Sequence, residues 1–163
     1  MCIWATKWKI RGREGCFYEM VSEWDLSTAK EFVLGLGDFN GRVGKWTEGF
    51  EGVHGGNGVG KRNLEGRRLL EFCDEKELCV LNTWYRKKRK EITFSASGNE
   101  TEIDFVLVGK NNRKYVRDVK VIPGELQHRM VVADVDKRKM KKIIRKDRKK
   151  GMEVKTPCDK SEL

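Results

Sequence analysis

At 163 residues, with 35 lysines and arginines against 25 acids, the chain carries a formal charge of +10. That length sets one domain or a part of one, with enough buried surface for a core. No run of apolar residues approaches the roughly 20 that a membrane span needs, and the five cysteines are odd in number and lack zinc-ligand spacing, which excludes a disulfide framework or a zinc knuckle.

The first dozen residues show no readable period, and "MCIWATKWKIRGR" has no apolar core of signal-peptide length. From Glu14 the spacing turns helical. Phe17, Met20, Val21 and Trp24 fall at i, i+3, i+4 and i+7, which predicts an amphipathic helix over Glu14–Trp24. "DLSTAK" then leads to an apolar strand, Phe32–Leu36, which delivers Asp38. Gly41–Gly60 reads as a flexible glycine-rich surface loop with His54 solvated in it. Its end, "GGNGVGKR", has the outline of a phosphate-binding loop. Arg62 stands where that motif needs a hydroxyl, and no buried strand leads in, so the surface-loop reading is preferred.

Asn63 is placed to cap a helix running to about Lys76, with Leu69, Leu70, Phe72 and Cys73 on its apolar side. A short strand, Leu78–Leu81, follows. The basic cluster Arg86, Lys87, Lys88, Arg89 and Lys90 precedes the β-rich "ITFSAS". Past its opening acid, the run Glu102–Val108 is apolar on both faces apart from Asp104, the mark of a central strand. Val116–Ile122 alternates, Pro123-Gly124 turns the chain, and Met130–Val135 is a last strand. The order predicts a mixed α/β layer structure, with one mixed sheet covered by two helices on one face. The other face is expected to expose apolar side chains for a partner to cover. Lys137–Lys150 carries ten basic residues and one acid. Such a tail suits nucleic acid, an anionic surface or nuclear import, and equally a solvated terminus. The cysteines read as reduced thiols of a nuclear or cytoplasmic protein.

Three acids and amides and one histidine stand out. Asp38 and Asn40, two apart at a strand end, project to one side while Phe39 points back. The carboxylate can take a proton from water and the amide can donate to a developing oxyanion; the pair also suits a plain turn. Asp104 interrupts an apolar strand, where an unpartnered carboxylate costs several kcal/mol, so it needs a partner. His128 stands just before the last strand. An Asp at one strand end and a His at the start of another can meet across a sheet rim, with the Asp orienting the ring.

In order, "GDFNG", "LNTW", "TFS", "EIDFVLV", then "QH" before "VVADV", resemble the second half of the endonuclease/exonuclease/phosphatase family, and within it the endonuclease domains of RTE-type non-LTR retrotransposons. The resemblance covers about Arg13–Asp136. It implies part of a four-layer α/β sandwich, the second mixed sheet with its helices only. It also implies three regions: an unassigned segment 1–12, the C-terminal half of a nuclease domain over 13–136, and a disordered or helical basic tail over 137–163. By the same resemblance Asp38 activates water, Asn40 holds the phosphate's developing charge, and Asp104 pairs with His128, which touches the scissile phosphate. Magnesium would act as Lewis acid, and Arg86–Lys90 with Thr93 would face DNA. The family's metal-binding Glu lies in the half not matched, and Gln127 stands where the family has an Asp. No intact metal site is therefore expected, and cleavage is expected to be weak or absent. The alternative is a non-enzymatic basic protein that binds nucleic acid.

Overall fold

The computed structural model describes residues 2–6, 32–87, 92–96, 98–124 and 126–136, with the backbone alone at 2–6 and 33. The organising strand is the one the sequence marks as central. In β6 (Asp104–Gly109), Phe105 to Val108 are all buried, so the strand must be covered on both faces. It pairs antiparallel with β2 (Val33–Asp38), from Leu34 opposite Val108 to Asp38 opposite Asp104, and on its other side with β3 (Leu78–Val80). β1 (Cys2–Thr6) adds to β2 in parallel, giving the order β1-β2-β6-β3. The opening residues, without a readable period, thus supply the strand at one end of this order among the described residues. A parallel pair needs a crossover connection. The intervening residues, where a helix over Glu14–Trp24 is expected, lie outside the described residues, as does the basic tail.

Both faces of this sheet are covered. On one, Phe105, Leu107, Leu78 and Val80 pack against α1 (Leu64–Glu75) through Leu69, Leu70, Phe72 and Cys73, together with Val43 and Val53. On the other, Leu34, Cys79, Val106 and Val108 meet β7 (Val116–Ile122) and β8 (Met130–Val135) through Val116, Val119, Val131, Ala133 and Val135. β7 and β8 form their own antiparallel hairpin, in register from Val116 opposite Val135 to Ile122 opposite Met130. This corrects the expectation of a single sheet with a bare second face. An alternating strand announces one apolar side, and that side is satisfied as well by lying on a sheet as by extending it. The exposed apolar residues here, Ile122, Met130 and Val132, sit on the hairpin instead. A third pair, β4 (Phe94–Ala96) and β5 (Asn99–Thr101), and two 3-10 turns, Leu81–Trp84 and Lys110–Tyr115, complete the described elements. Among the described residues no helix is long and apolar enough to cross a membrane.

Asn63 caps α1 as expected, and it does more than that. Its Oδ1 accepts from Gly66 N–H (2.9 Å) and from Arg42 N–H (2.8 Å), while its own N–H donates to Arg42 O (3.1 Å). The segment that follows Asn40 is thereby fastened to the helix start. The approach is so close that a Cβ at Gly66 would lie 1.9 Å from Arg42 O.

The glycine-rich stretch is likewise packed, which corrects the reading of a loose loop with a solvated histidine. His54 is 2% exposed. Its Nε2–H donates to Gly44 O (2.8 Å), and Gly56 N–H donates to its Nδ1 (3.0 Å). Those two bonds require the neutral ring with its proton on Nε2. The glycines are there because backbone must come up against the ring: a Cβ at Gly58 would overlap Gly44 O. Burial holds His54 below the ordinary histidine pKa, with the Arg62 cation adding to the effect and the Gly44 bond opposing it. The thiols of Cys73 and Cys79 are free and buried, and burial pushes Cys79 up to about 11 and Cys73 higher still.

Two outcomes follow from this packing. Gly66→Ala should destabilise the fold by about 1–3 kcal/mol in urea melts, although alanine is the better helix former, because the clash is with backbone. His54 binds its proton more readily when unfolded, so stability should be full above about pH 6.5 and decline as pH falls below it. Urea midpoints at pH 7.5 and 5.5 should differ less in His54→Gln than in the parent chain.

Candidate active site

β2 and β6 end together, which sets Asp38 directly opposite Asp104 in the ladder. Like charges facing each other across strands repel. His128 reaches both. Its Nδ1 lies 3.2 Å from each Asp104 carboxylate oxygen, and its Nε2 lies 3.8 Å from Asp38 Oδ2. The first is a hydrogen bond that puts the proton of Nδ1 on the Asp104 side; the second is beyond hydrogen-bond reach. The two carboxylates are mostly buried and the ring is about half exposed. Asp38 Oδ1 also accepts from Asn40 N–H at 2.9 Å, closing an Asx turn. Asn40 adopts φ 50°, a left-handed conformation that asparagine tolerates, and its side chain is exposed. Phe39 points the other way, into the core beside Phe105. Burial pushes the Asp38 pKa above its usual carboxylate value; the Asn40 N–H opposes this, Asp104 adds to it, and His128 opposes it.

The structure brings Asp38, Asp104 and His128 together, and brings Asn40 in through its backbone. It also reveals what holds them. Thr93 is fully buried, and its Oγ1 accepts from both Ile103 N–H and Asp104 N–H at 3.0 Å. Asn82, in the Leu81–Trp84 turn, donates through Nδ2 to Asp104 O (3.1 Å) and Glu102 Oε1 (3.2 Å) and accepts from Val106 N–H (2.9 Å). His128 is gripped on both sides by the Thr93–Ser95 backbone: Ser95 N–H donates to Gln127 O (2.8 Å) and Arg129 N–H donates to Thr93 O (2.7 Å). Its ring leans on Phe94, centroid to centroid 4.8 Å. Sequence reasoning missed Asn82. Its signal is a polar residue lodged between the buried Leu81 and Thr83 in an otherwise apolar stretch.

The expected DNA-facing residues fare differently. Thr93 cannot reach a phosphate, since its hydroxyl is spent inside the fold on backbone amides. Lys87 is drawn into an ion pair with Asp118 of β7. Arg86 is exposed, and Lys88, Arg89 and Lys90 lie outside the described residues. Gln127 is exposed and contributes its carbonyl to the grip on His128.

Donor atoms of Asp38, Asp104 and His128 all lie within 4.8 Å of one another, a spacing at which a cation could be shared. They do not fit magnesium, which requires an octahedral set of oxygens. Both Asp104 oxygens face the ring N–H, one Asp38 oxygen takes the Asn40 N–H, and the third donor is a nitrogen.

Thr93 supports the site through a single oxygen. Thr93→Val preserves shape and leaves two backbone N–H groups without their acceptor, so it should cost about 1–3 kcal/mol in urea melts. Thr93→Ser, which keeps the oxygen, should cost clearly less.

No family model matches the chain. In sequence it is 32% identical over 135 residues to craniofacial development protein 2 of Bos taurus, across 78% of this chain and 22% of that protein. It is 30% identical over 135 residues to craniofacial development protein 2 of Tragulus javanicus, across 78% and 23%. The chain thus spans less than a quarter of the length of these relatives. In structure it is similar to the endonuclease domain of TRAS1, a telomere-specific non-LTR retrotransposon, with a TM-score of 0.59 and 12% identity, over 82% of this chain and 56% of that one. It is also similar to the 3'-5' exonuclease NExo from Neisseria meningitidis, with a TM-score of 0.53 and 16% identity, over 76% and 52%. At such identities the likeness is one of fold. The chain is a homologue of craniofacial development protein 2 built on the endonuclease/exonuclease/phosphatase type of fold.

Proposed function

We propose that the chain carries the catalytic rim of a phosphodiesterase domain, a DNA endonuclease of retrotransposon descent, and that by itself it cleaves only weakly. The observation that carries this reading is an imidazole fixed by one carboxylate and facing a second, at the exposed end of a sheet. The likeness to the TRAS1 domain supports the descent.

In this reading the Asp38 carboxylate takes a proton from water. The water oxygen forms a bond to phosphorus as the bond from phosphorus to the leaving sugar oxygen breaks, and that oxygen takes a proton from solvent. His128, with Nδ1 held by Asp104, presents Nε2–H to a non-bridging phosphate oxygen, and the exposed Asn40 amide donates to the same developing charge. A divalent cation would add Lewis-acid stabilisation of the leaving oxygen. The residues at the rim do not fit magnesium, and Lewis-acid stabilisation is worth several kcal/mol, hence orders of magnitude in rate. Near-background cleavage is the consequence. The second reading, a non-enzymatic nucleic-acid binder, is favoured by the formal charge of +10.

Nicking of supercoiled plasmid at stoichiometric protein with magnesium separates the two. Trace nicking is expected, rising with pH as the buried Asp38 ionises and vanishing in both Asp38→Ala and His128→Ala. Nicking indifferent to those substitutions, or none at all, would remove the catalytic reading and leave the binder.

A further inference from the structure

We propose that Trp46 is a stacking platform for an unpaired nucleic-acid base, carried by a fastened loop that leads directly from the Asp38–His128 rim. This inference rests on the phosphodiester reading of that rim and adds to it a preference for unpaired strands.

The loop begins one residue beyond Asn40 and is fastened along its length. Both backbone groups of Arg42 are bonded to Asn63. Gly44 takes φ +70°, and a Cβ there would stand 2.6 Å from Arg62 N, so loop and clamp are in direct contact. The Arg62 guanidinium donates to Val43 O (3.1 Å) and to Trp46 O, and lies 4.9 Å from the Phe50 ring centre. Phe50 N–H closes the far end on Thr47 O (2.7 Å). On this fixed backbone the Trp46 residue is 58% exposed, and Lys45 Nζ lies 4.7 Å from its ring centre. Trp84 shows the contrast: its Nε1–H donates to Val53 O and Arg113 covers its ring at 3.9 Å.

A large aromatic ring left more than half in water on an ordered backbone, with one lysine over it, gains little from the fold, and it has already lost part of the freedom that binding would otherwise remove. Its surroundings suit a nucleic-acid strand. Arg42, Lys45 and Lys61 are exposed, with Arg62 among them, against Glu48 and Glu51. Cations for phosphates beside a flat ring for a base are the two components of single-strand recognition. Trp46 stands six positions beyond Asn40, so its Cα lies at most about 21 Å from that of Asn40. That is at most about six steps along a strand at duplex rise. A base inside a duplex is stacked on its neighbours and has no face to offer, so the platform selects an unpaired one.

The test is fluorescence anisotropy of the full chain with labelled single-stranded oligonucleotides, deoxy and ribo in parallel, and with the fully paired DNA duplex, all at one salt concentration. Trp46→Ala should weaken single-strand binding about 5- to 100-fold, Trp46→Phe should retain most of it, and duplex binding should change less than about twofold. Loss with either sugar supports the platform and shows which strand it prefers. Melting curves that match the parent chain establish that the exposed position leaves the fold intact. Single-strand affinity unchanged in Trp46→Ala, or an equal loss on duplex, would overturn the inference. Nicking that fails while Trp46-dependent binding persists would sink the catalytic reading and leave the platform standing. Nicking that succeeds while binding ignores Trp46 would sink the platform alone.

Discussion

Two carboxylates face each other across the last rung of the β2–β6 ladder, and much of the described structure answers to that constraint. At a separation of about 5 Å and an effective dielectric near 20, two such charges repel by about 3 kcal/mol. The chain relieves this from several directions. The His128 ring approaches both acids, the Asn40 N–H donates to one of them, and burial keeps Asp38 readier than usual to hold a proton. A turn between a strand and a loop would not need such a partner set. The carboxylate pair and the ring explain each other's positions.

The site is also continuous with the core. His128 leads directly into β8, and β8 is pressed onto the sheet through Val131, Ala133 and Val135. Asp38 and Asp104 are carried by the strands underneath. Sheet and hairpin therefore have to close on one another before ring and carboxylates can meet. The Thr93–Ser95 segment sets the last coordinate, since its backbone bonds bracket His128 while the Thr93 hydroxyl organises the amide of Asp104. Displacing any of the three layers would show at the rim.

Much of this was legible in the sequence where chemistry and pattern coincide. Asp104 was conspicuous as the one charge in a doubly buried strand, and the run around it placed β6 at the centre. Asn63 announced the start of α1, and "GDFNG" marked the turn at the rim. What escaped reading was set by tertiary approach. Nothing local to His54 says that Gly44, well upstream in the loop, will bring its carbonyl to the ring. Thr93, placed toward DNA by the resemblance, turns inward instead, and a hydroxyl's partners are invisible to periodicity. The alternation of β7 and β8 identified their apolar sides correctly but carried no information about which layer they join. The ordered set of short motifs led to the fold even so, because each motif sits where a strand or turn delivers a side chain to one rim.

The sheet order carries a consequence for how the protein is made. β6 is flanked by β2 and β3, both upstream, and on that side of β2 Leu34 finds its neighbour only at Val108. A chain emerging from the ribosome can wind α1 early, but β2, beside β1, waits for most of the described sequence before its second partner exists. His128 arrives later still. Pairings this distant in sequence are slow, because loop closure must come before the contacts that reward it. During that wait the apolar strand Val33–Asp38 is unpaired on the side that β6 will occupy, the state in which a nascent chain is most open to pairing with the wrong neighbour or to capture by a chaperone.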